Sequence, residues 1–231
     1  MAQSAECLFP ARGNGKACFC REVVVDEVNL QIAFRFCQLS LPSGKTRAGA
    51  EFIRFGMGTG LFGRVALVGP TLGDVREVMI EGVSGLRSIT DCYAYYPTYS
   101  PSRRRLEYPN GAVATVFSAE DADSLRGPQF DAAWCDEIAA WPDGEAVWDT
   151  LQMGIRLGRS PVCVATTTPR PVPLVRRLVA REALVSRMRT ADNAEHLADG
   201  FLEQMQRVYG SSALARQELD GGSVRSARPA R

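Results

Sequence analysis

Histidine is almost missing from this sequence: His196 is the single one in 231 residues. Ser-His-Asp triads and histidine-rich metal sites are therefore nearly excluded. Lysine is almost as scarce. The basic residues number 27, and only Lys16 and Lys45 among them are lysines. The chain uses arginine wherever a cation will do, yet keeps a compact ammonium in Ser43-Gly44-Lys45-Thr46, which marks that position as chemically special. No run of about 18 apolar residues occurs, so no segment is expected to span a membrane and no membrane partner is expected. The N-terminal stretch lacks the apolar core of a secretory signal, which leaves the cytoplasm as the expected compartment. The seven cysteines form no Cys-x-x-Cys pair, so free thiols are expected rather than a zinc site or a disulfide framework.

A marked excess of either charge is missing too. The 27 basic residues face 26 acidic ones, a net charge of +1, so any contact with a polyanion has to come from a local patch. Arg103-Arg104-Arg105 reads first as a solvated run, and is also able to touch a DNA backbone. What is present is an ordinary globular composition, with 45% hydrophobic and 23% charged residues, which excludes wholesale disorder. The length suits one domain with an appendage, or two very small domains.

The segment 1–41 is cysteine-rich and β-prone without a helical period, and stands apart as an atypical N-terminal segment. From there the pattern becomes regular, and 42–190 reads as a nucleotide-binding core. Thr46–Arg54 is expected to be a helix opening on Gly-Lys-Thr, and Arg64–Val68 a buried strand stopped by Gly69-Pro70. Leu72–Ile80 has helical spacing, with Val75, Val78 and Met79 on one face. Asn110-Gly111 between Arg105–Tyr108 and Ala112–Phe117 predicts a hairpin. Phe130–Cys135 and Pro161–Ala165 read as strands, with a helix around Ala146–Leu157 between them. Leu174–Arg181 is expected to be helical and Leu184–Met188 a strand. The segment 191–220 reads as a helical linker region, with helices over Leu197–Tyr209 and Ser212–Leu219, and 221–231 as a loose basic tail. Short apolar strands alternating with helices imply an α/β fold with a mainly parallel sheet between helices.

Gly44-Lys45-Thr46 at a strand-to-helix junction is the second half of a phosphate-binding loop. In such a loop backbone N–H groups and the helix N-terminus surround the phosphates, the lysine reaches the terminal oxygens and the threonine hydroxyl holds Mg²⁺. Asp136 and Glu137 close an apolar strand, at the sheet edge where α/β proteins bind ligands. In a nucleotide hydrolase the first acid holds Mg²⁺ and the second orients and deprotonates water. Thr166-Thr167-Thr168 is expected to leave the next strand beside these acids, where hydroxyls can sense a γ-phosphate; a plain polar strand exit is the simpler alternative. Arg126, just before the acid-bearing strand, is placed to reach a phosphate as a finger.

Together GKTRAGAEF, RVALVGPTLGDVREVMIEG, PSRRRLEYPNGAVATVFSAED, SLRGPQFDAAWCDE, VWDTLQMGIRLG, VATTTPRP and RQELDG make the chain from Gly44 to Gly221 resemble the ATPase part of phage-type terminase large subunits, especially those of gene transfer agents and related prophages. The resemblance implies a P-loop NTPase of the RecA-like, additional-strand class. Its implied ligands are ATP and Mg²⁺, and its implied work is driving double-stranded DNA into a procapsid. The implied partners are the terminase small subunit and the portal protein, in a homo-oligomeric ring in the cytoplasm of a bacterial host cell. By resemblance, Gly44, Lys45 and Thr46 match the phosphate loop, with Thr46 and Asp136 on Mg²⁺ and Glu137 as catalytic base. Thr166, Thr167 and Thr168 match the coupling motif, the last two as nucleotide contacts, and Arg126 matches an arginine acting on a neighbour's nucleotide.

The chain also departs from that pattern. Where the family has a glycine-rich loop, this sequence has Leu39-Ser40-Leu41-Pro42-Ser43-Gly44, and proline supplies no N–H donor. The adenine-contacting segment has no counterpart in residues 1–41, and the nuclease that follows in the family is not expected after Gly221. Both ends read as frame changes or truncations of a longer ancestor. Two rival readings follow: a catalytically impaired remnant that keeps the fold and an interaction surface, and, less well supported, a helicase-like translocase.

Overall fold

A computed structural model of the chain describes residues 33–39, 44–90, 96–168, 170–180, 184–188, 197–210 and 212. The chain divides into the units Met1–Gln31 and Ile32–Arg231, and every described residue belongs to the second.

The strands are β1 (Ala33–Leu39), β2 (Arg64–Gly69), β3 (Thr98–Ser100), β4 (Arg105–Glu107), β5 (Val113–Ser118), β6 (Ala132–Cys135), β7 (Val162–Thr167) and β8 (Leu184–Met188). They form one sheet in the order β3-β4-β5-β2-β6-β7-β1-β8. From β5 to β8 every pairing is parallel, while β3 and β4 join antiparallel at one edge. Strands β2, β6 and β7 are buried along nearly their whole length, as a sheet covered by helices requires. In β2, Val65 and Leu67 enter one core layer, while Ala66 and Val68 enter the other.

Helix α1 (Lys45–Gly58) and the turn-and-a-half that begins with α2 (Leu72–Asp74) cover the first face. Helices α3 (Gly144–Gly154) and α4 (Pro173–Ala180) cover the second. Helix α5 (Phe201–Tyr209) closes the described chain.

The α1 helix lies close against β6 because Gly49 has no side chain. A Cβ there would sit 2.3 Å from Nε1 of the fully buried Trp134. The contact fixes how far α1 reaches along the sheet. At its far end Asn110 donates to the carbonyl of Met57 at 2.6 Å and so tethers the helix to the hairpin turn. That turn has Gly111 at φ 87°, as an Asn-Gly hairpin needs, and Arg105–Glu107 pairs with Val113–Thr115 as expected.

Three features differ from the sequence expectation. The strand Ala33–Leu39, set apart with the atypical segment, pairs with β7 and β8 inside the parallel sheet. Only long-range pairing reveals this. Leu72–Ile80 is a capped α turn running into a π-helical turn, Val75–Ile80, so the buried residues are Val75, Met79 and Ile80, and Val78 points outward. The wider turn makes residues five apart share a face. Thr166 and Thr167 lie within β7 rather than beyond it. The expected helix over Ser212–Leu219, the loop 40–43 and the tail 221–231 fall outside the described residues, Ser212 apart. Among the described residues no helix is long and apolar enough to cross a membrane.

Candidate active site

The parallel strands β2, β5, β6 and β7 all end at one edge of the sheet, and α1 starts there. Gly44 precedes the helix in the left-handed region at φ 80°, with no side-chain cap. The first turn of α1 contains no acid, and the N–H groups of a first helical turn have no acceptor within the helix. The first turn itself therefore supplies no acid to offset the partial positive charge of its N–H groups.

Lys45 is the first residue of α1 and lies on the same helix face as Gly49. The Gly49–Trp134 contact therefore carries Lys45 over the residues that follow Trp134 on that side of β6, Asp136 and its neighbour. The lysine is buried, and Nζ donates a hydrogen bond to Oε2 of Glu137. The other carboxylate oxygen of Glu137 accepts the Thr168 N–H at 3.0 Å and the Thr168 hydroxyl. Asp136 accepts the Thr166 hydroxyl on Oδ1, and its own N–H is held by the Val68 carbonyl at 2.8 Å. Thr46 is half-buried, and its hydroxyl makes no hydrogen bond among the described residues. The geometry thus brings Lys45, Thr46, Asp136, Glu137, Thr166 and Thr168 to one end of the sheet.

The two acids differ in environment. Burial pushes the Asp136 carboxyl up to about 6, against the Thr166 hydrogen bond and the Lys45 charge, and the neighbouring carboxylates of Glu137 and Asp74 push the same way. Burial would raise Glu137 as well. There the Lys45 charge and the hydrogen bonds from Lys45 and Thr168 win, and hold the carboxyl below its ordinary range. Glu137 is therefore an ionised acceptor at neutral pH, as a base must be. Its backbone is left-handed at φ 50°, a conformation costing a non-glycine residue roughly 1–2 kcal/mol. The surrounding turn supplies that strain.

Two residues from the sequence reading stand elsewhere. Thr167 is fully buried, and its hydroxyl is engaged by the Ala139 N–H and the Thr168 carbonyl, both at 3.0 Å. As the odd-numbered residue of an alternating strand it faces the opposite side from Thr166 and Thr168. Arg126 is exposed, pairs with Asp123 at 2.8 Å, and has no hydrogen bond or ion pair with the Lys45–Glu137 group. Arg103, Arg104 and Arg105 are also exposed, with Arg103 beside Glu107 at 3.2 Å. One contributor was missed: the Trp141 indole N–H donates to the Asp136 carbonyl at 3.1 Å. A hydrogen bond to backbone carries no sequence signal.

Comparison with known proteins places this chain in a family. The family described as terminase large subunit, T4likevirus-type, N-terminal matches residues 37–228. No curated protein matches the chain in sequence. Among solved structures, the large terminase of the thermophilic bacteriophage D6E superposes with a TM-score of 0.67 at 17% identity, covering 81% of this chain and 48% of that one. The same protein in complex with ADP gives 0.66 at 17% identity, covering 82% and 48%. The large terminase ATPase domain of Thermus phage P74-26 gives 0.59 at 18% identity, covering 83% and 88%. The chain thus spans about half the length of the D6E protein and most of the P74-26 ATPase domain. With its family match across most of its length, this chain belongs to the terminase large subunits, matching the N-terminal part of that family, and it shares the RecA-like fold of the phage large terminase ATPase domains.

Proposed function

We propose that this chain binds Mg-ATP at the N-terminus of α1 and hydrolyses it to drive double-stranded DNA into a procapsid. One observation carries the reading: a buried lysine at an uncapped, acid-free helix N-terminus stands with one buried carboxylate, Asp136, and one half-buried carboxylate, Glu137, at the sheet's carboxyl edge. The residues present fit a nucleotide phosphate. Lys45 and the first-turn N–H groups of α1 supply cation and donors, and the Thr46 hydroxyl with Asp136 supplies oxygen ligands for a hard divalent ion. When bound, the magnesium nucleotide supplies the phosphoanhydride that is cleaved and a cation that neutralises charge on its oxygens.

The protein's part follows from its contacts. Lys45 exchanges the Glu137 carboxylate for phosphate oxygen, which frees Oε2 to accept a proton from water. Thr168 keeps Oε1 and so keeps the carboxylate aimed. Ionised Glu137 orients that water for in-line attack. Arg126, exposed on its own chain, is available to a neighbour's nucleotide in a ring assembled with the portal protein and the terminase small subunit. The ADP-bound D6E protein supports nucleotide as the ligand.

Titration with ATP and measurement of phosphate release test the reading on the chain, Lys45→Ala and Glu137→Gln. Binding lost in the first variant and hydrolysis lost with binding kept in the second is the expected pattern. A folded chain that binds no nucleotide overturns it and leaves the impaired remnant. The loop sequence predicts weak binding, since one lost N–H donor to a charged group weakens it by roughly ten- to a hundredfold. Restoring the glycine-rich loop before Lys45 then raises affinity.

A further inference from the structure

We propose that Trp141 and Thr167 are positioning residues for Glu137, acting on its backbone from the face of the sheet opposite to the nucleotide. The inference rests on Glu137 being the base. Between Asp136 and Trp141 the chain leaves β6, passes through Glu137 in the left-handed region, and makes a single 3₁₀ turn over Ile138–Ala140. Two side chains close this segment. The Trp141 indole N–H reaches back to the Asp136 carbonyl at 3.1 Å, spanning the peptide on which Glu137 turns. The Thr167 hydroxyl takes the Ala139 N–H at 3.0 Å and donates to the Thr168 carbonyl, so it ties the turn to the strand end whose next residue grips the Glu137 carboxylate.

Both are buried, at 6% and 0% exposure; Trp141 belongs to the core layer opposite α1, and Thr167 follows Cys163 and Ala165 to that same side of β7. Neither has a hydrogen bond to Lys45 or to either carboxylate. Their hydrogen bonds hold backbone on either side of the left-handed Glu137, at Asp136 and at Ala139. A non-glycine residue relaxes out of that region when its flanks are released. Relaxation swings the Glu137 carboxylate off Thr168 while leaving Lys45, Thr46 and Asp136 in place. The consequence is specific: turnover falls and nucleotide affinity does not.

Trp141→Phe keeps the ring and removes only the donor, and Thr167→Val keeps the shape and removes the hydroxyl. Expected for each is a kcat roughly tenfold lower, the equivalent of about 1.4 kcal/mol, with KM for ATP unchanged. Thr167→Ser restores kcat. In a Glu137→Ala background, Trp141→Phe causes no further loss. An unchanged kcat in both folded variants, a rise in KM instead, or an undiminished tenfold loss in the Glu137→Ala background overturns the proposal. If the parent chain releases no phosphate, the reading of Glu137 as base has failed, and amide hydrogen exchange decides the positioning claim by itself. Faster exchange over residues 136–141 in both variants, with the rest of the sheet unchanged, sustains it, and unchanged exchange there sinks it.

Discussion

Replacing Asp136 by Asn exposes the tension between stability and function at this site. The Asp136 carboxyl is pushed up to about 6 from an ordinary 3.8, chiefly by burial. Keeping it ionised at higher pH therefore costs the folded state on the order of 2–3 kcal/mol, at about 1.4 kcal/mol per pH unit. Asparagine has nearly the same shape and still accepts the Thr166 hydroxyl, so the substitution removes the buried charge and little else. The folded state binds the proton more tightly than the unfolded chain does. The penalty is accordingly present in full above pH 6, shrinks as the pH falls through that value, and vanishes below about 3.8.

Asp136→Asn is expected to stabilise the chain by about 2–3 kcal/mol at pH 8 while abolishing Mg²⁺-dependent phosphate release. Urea unfolding of the two proteins without metal, at pH 8 and again near pH 4.5, gives the comparison. Groups distant from the site titrate alike in both proteins and cancel. Glu137, held below its ordinary range, acts with the opposite sign and largely cancels as well. A variant no more stable than its parent at pH 8 would refute the argument from desolvation. So would a gain of the same size at both pH values.

Gly49→Ala puts a methyl 2.3 Å from the Trp134 indole, and the resulting shift of α1 is expected to cost about 1–3 kcal/mol. Because that contact also sets where Lys45 lies, weaker nucleotide binding accompanies a changed Trp134 fluorescence. The Asp131 carboxylate accepts the N–H of Gly63 at 2.7 Å and of Arg64 at 3.0 Å, so Asp131→Ala is expected to cost about 1–3 kcal/mol in urea unfolding with nucleotide affinity untouched. Chelation of Mg²⁺ is expected to stop phosphate release by the native chain and to leave its thermal unfolding unchanged when no nucleotide is present.

Most of the parallel sheet was readable because its strands are short apolar runs with punctuation at their ends. Gly69-Pro70 stops β2, and Asn110-Gly111 turns the hairpin. The strand Ala33–Leu39 is equally β-prone, but its membership of the sheet depends on partners at Val162–Thr167 and Leu184–Met188 that no local pattern discloses. Val78 was placed on the wrong face because a π-helical turn changes which residues share a side, and that change follows from packing rather than from spacing. At the site, Lys45, Asp136 and Glu137 are legible since motif order encodes which strand ends meet. Trp141 is not: a hydrogen bond aimed at a neighbouring carbonyl leaves the residue looking like any core aromatic.

The three adjacent threonines show most plainly how a motif differs from a geometry. As text, Thr166-Thr167-Thr168 is one polar run that leaves a strand. In the sheet the chain alternates, and each hydroxyl meets a different demand. Thr166 faces the α1 side and holds the Asp136 carboxylate. Thr167 faces the opposite core layer and holds the turn after Glu137. Thr168 returns to the α1 side and grips the Glu137 carboxylate through both its hydroxyl and its N–H. Two neighbouring acids that follow β6 thus receive separate anchors from the end of β7. The anchors lie on a single continuous backbone, so a displacement at the end of β7 moves both carboxylates together. On the proposed reading, a nucleotide phosphate that drew Lys45 away from Glu137 would act on a group already tied to that strand end.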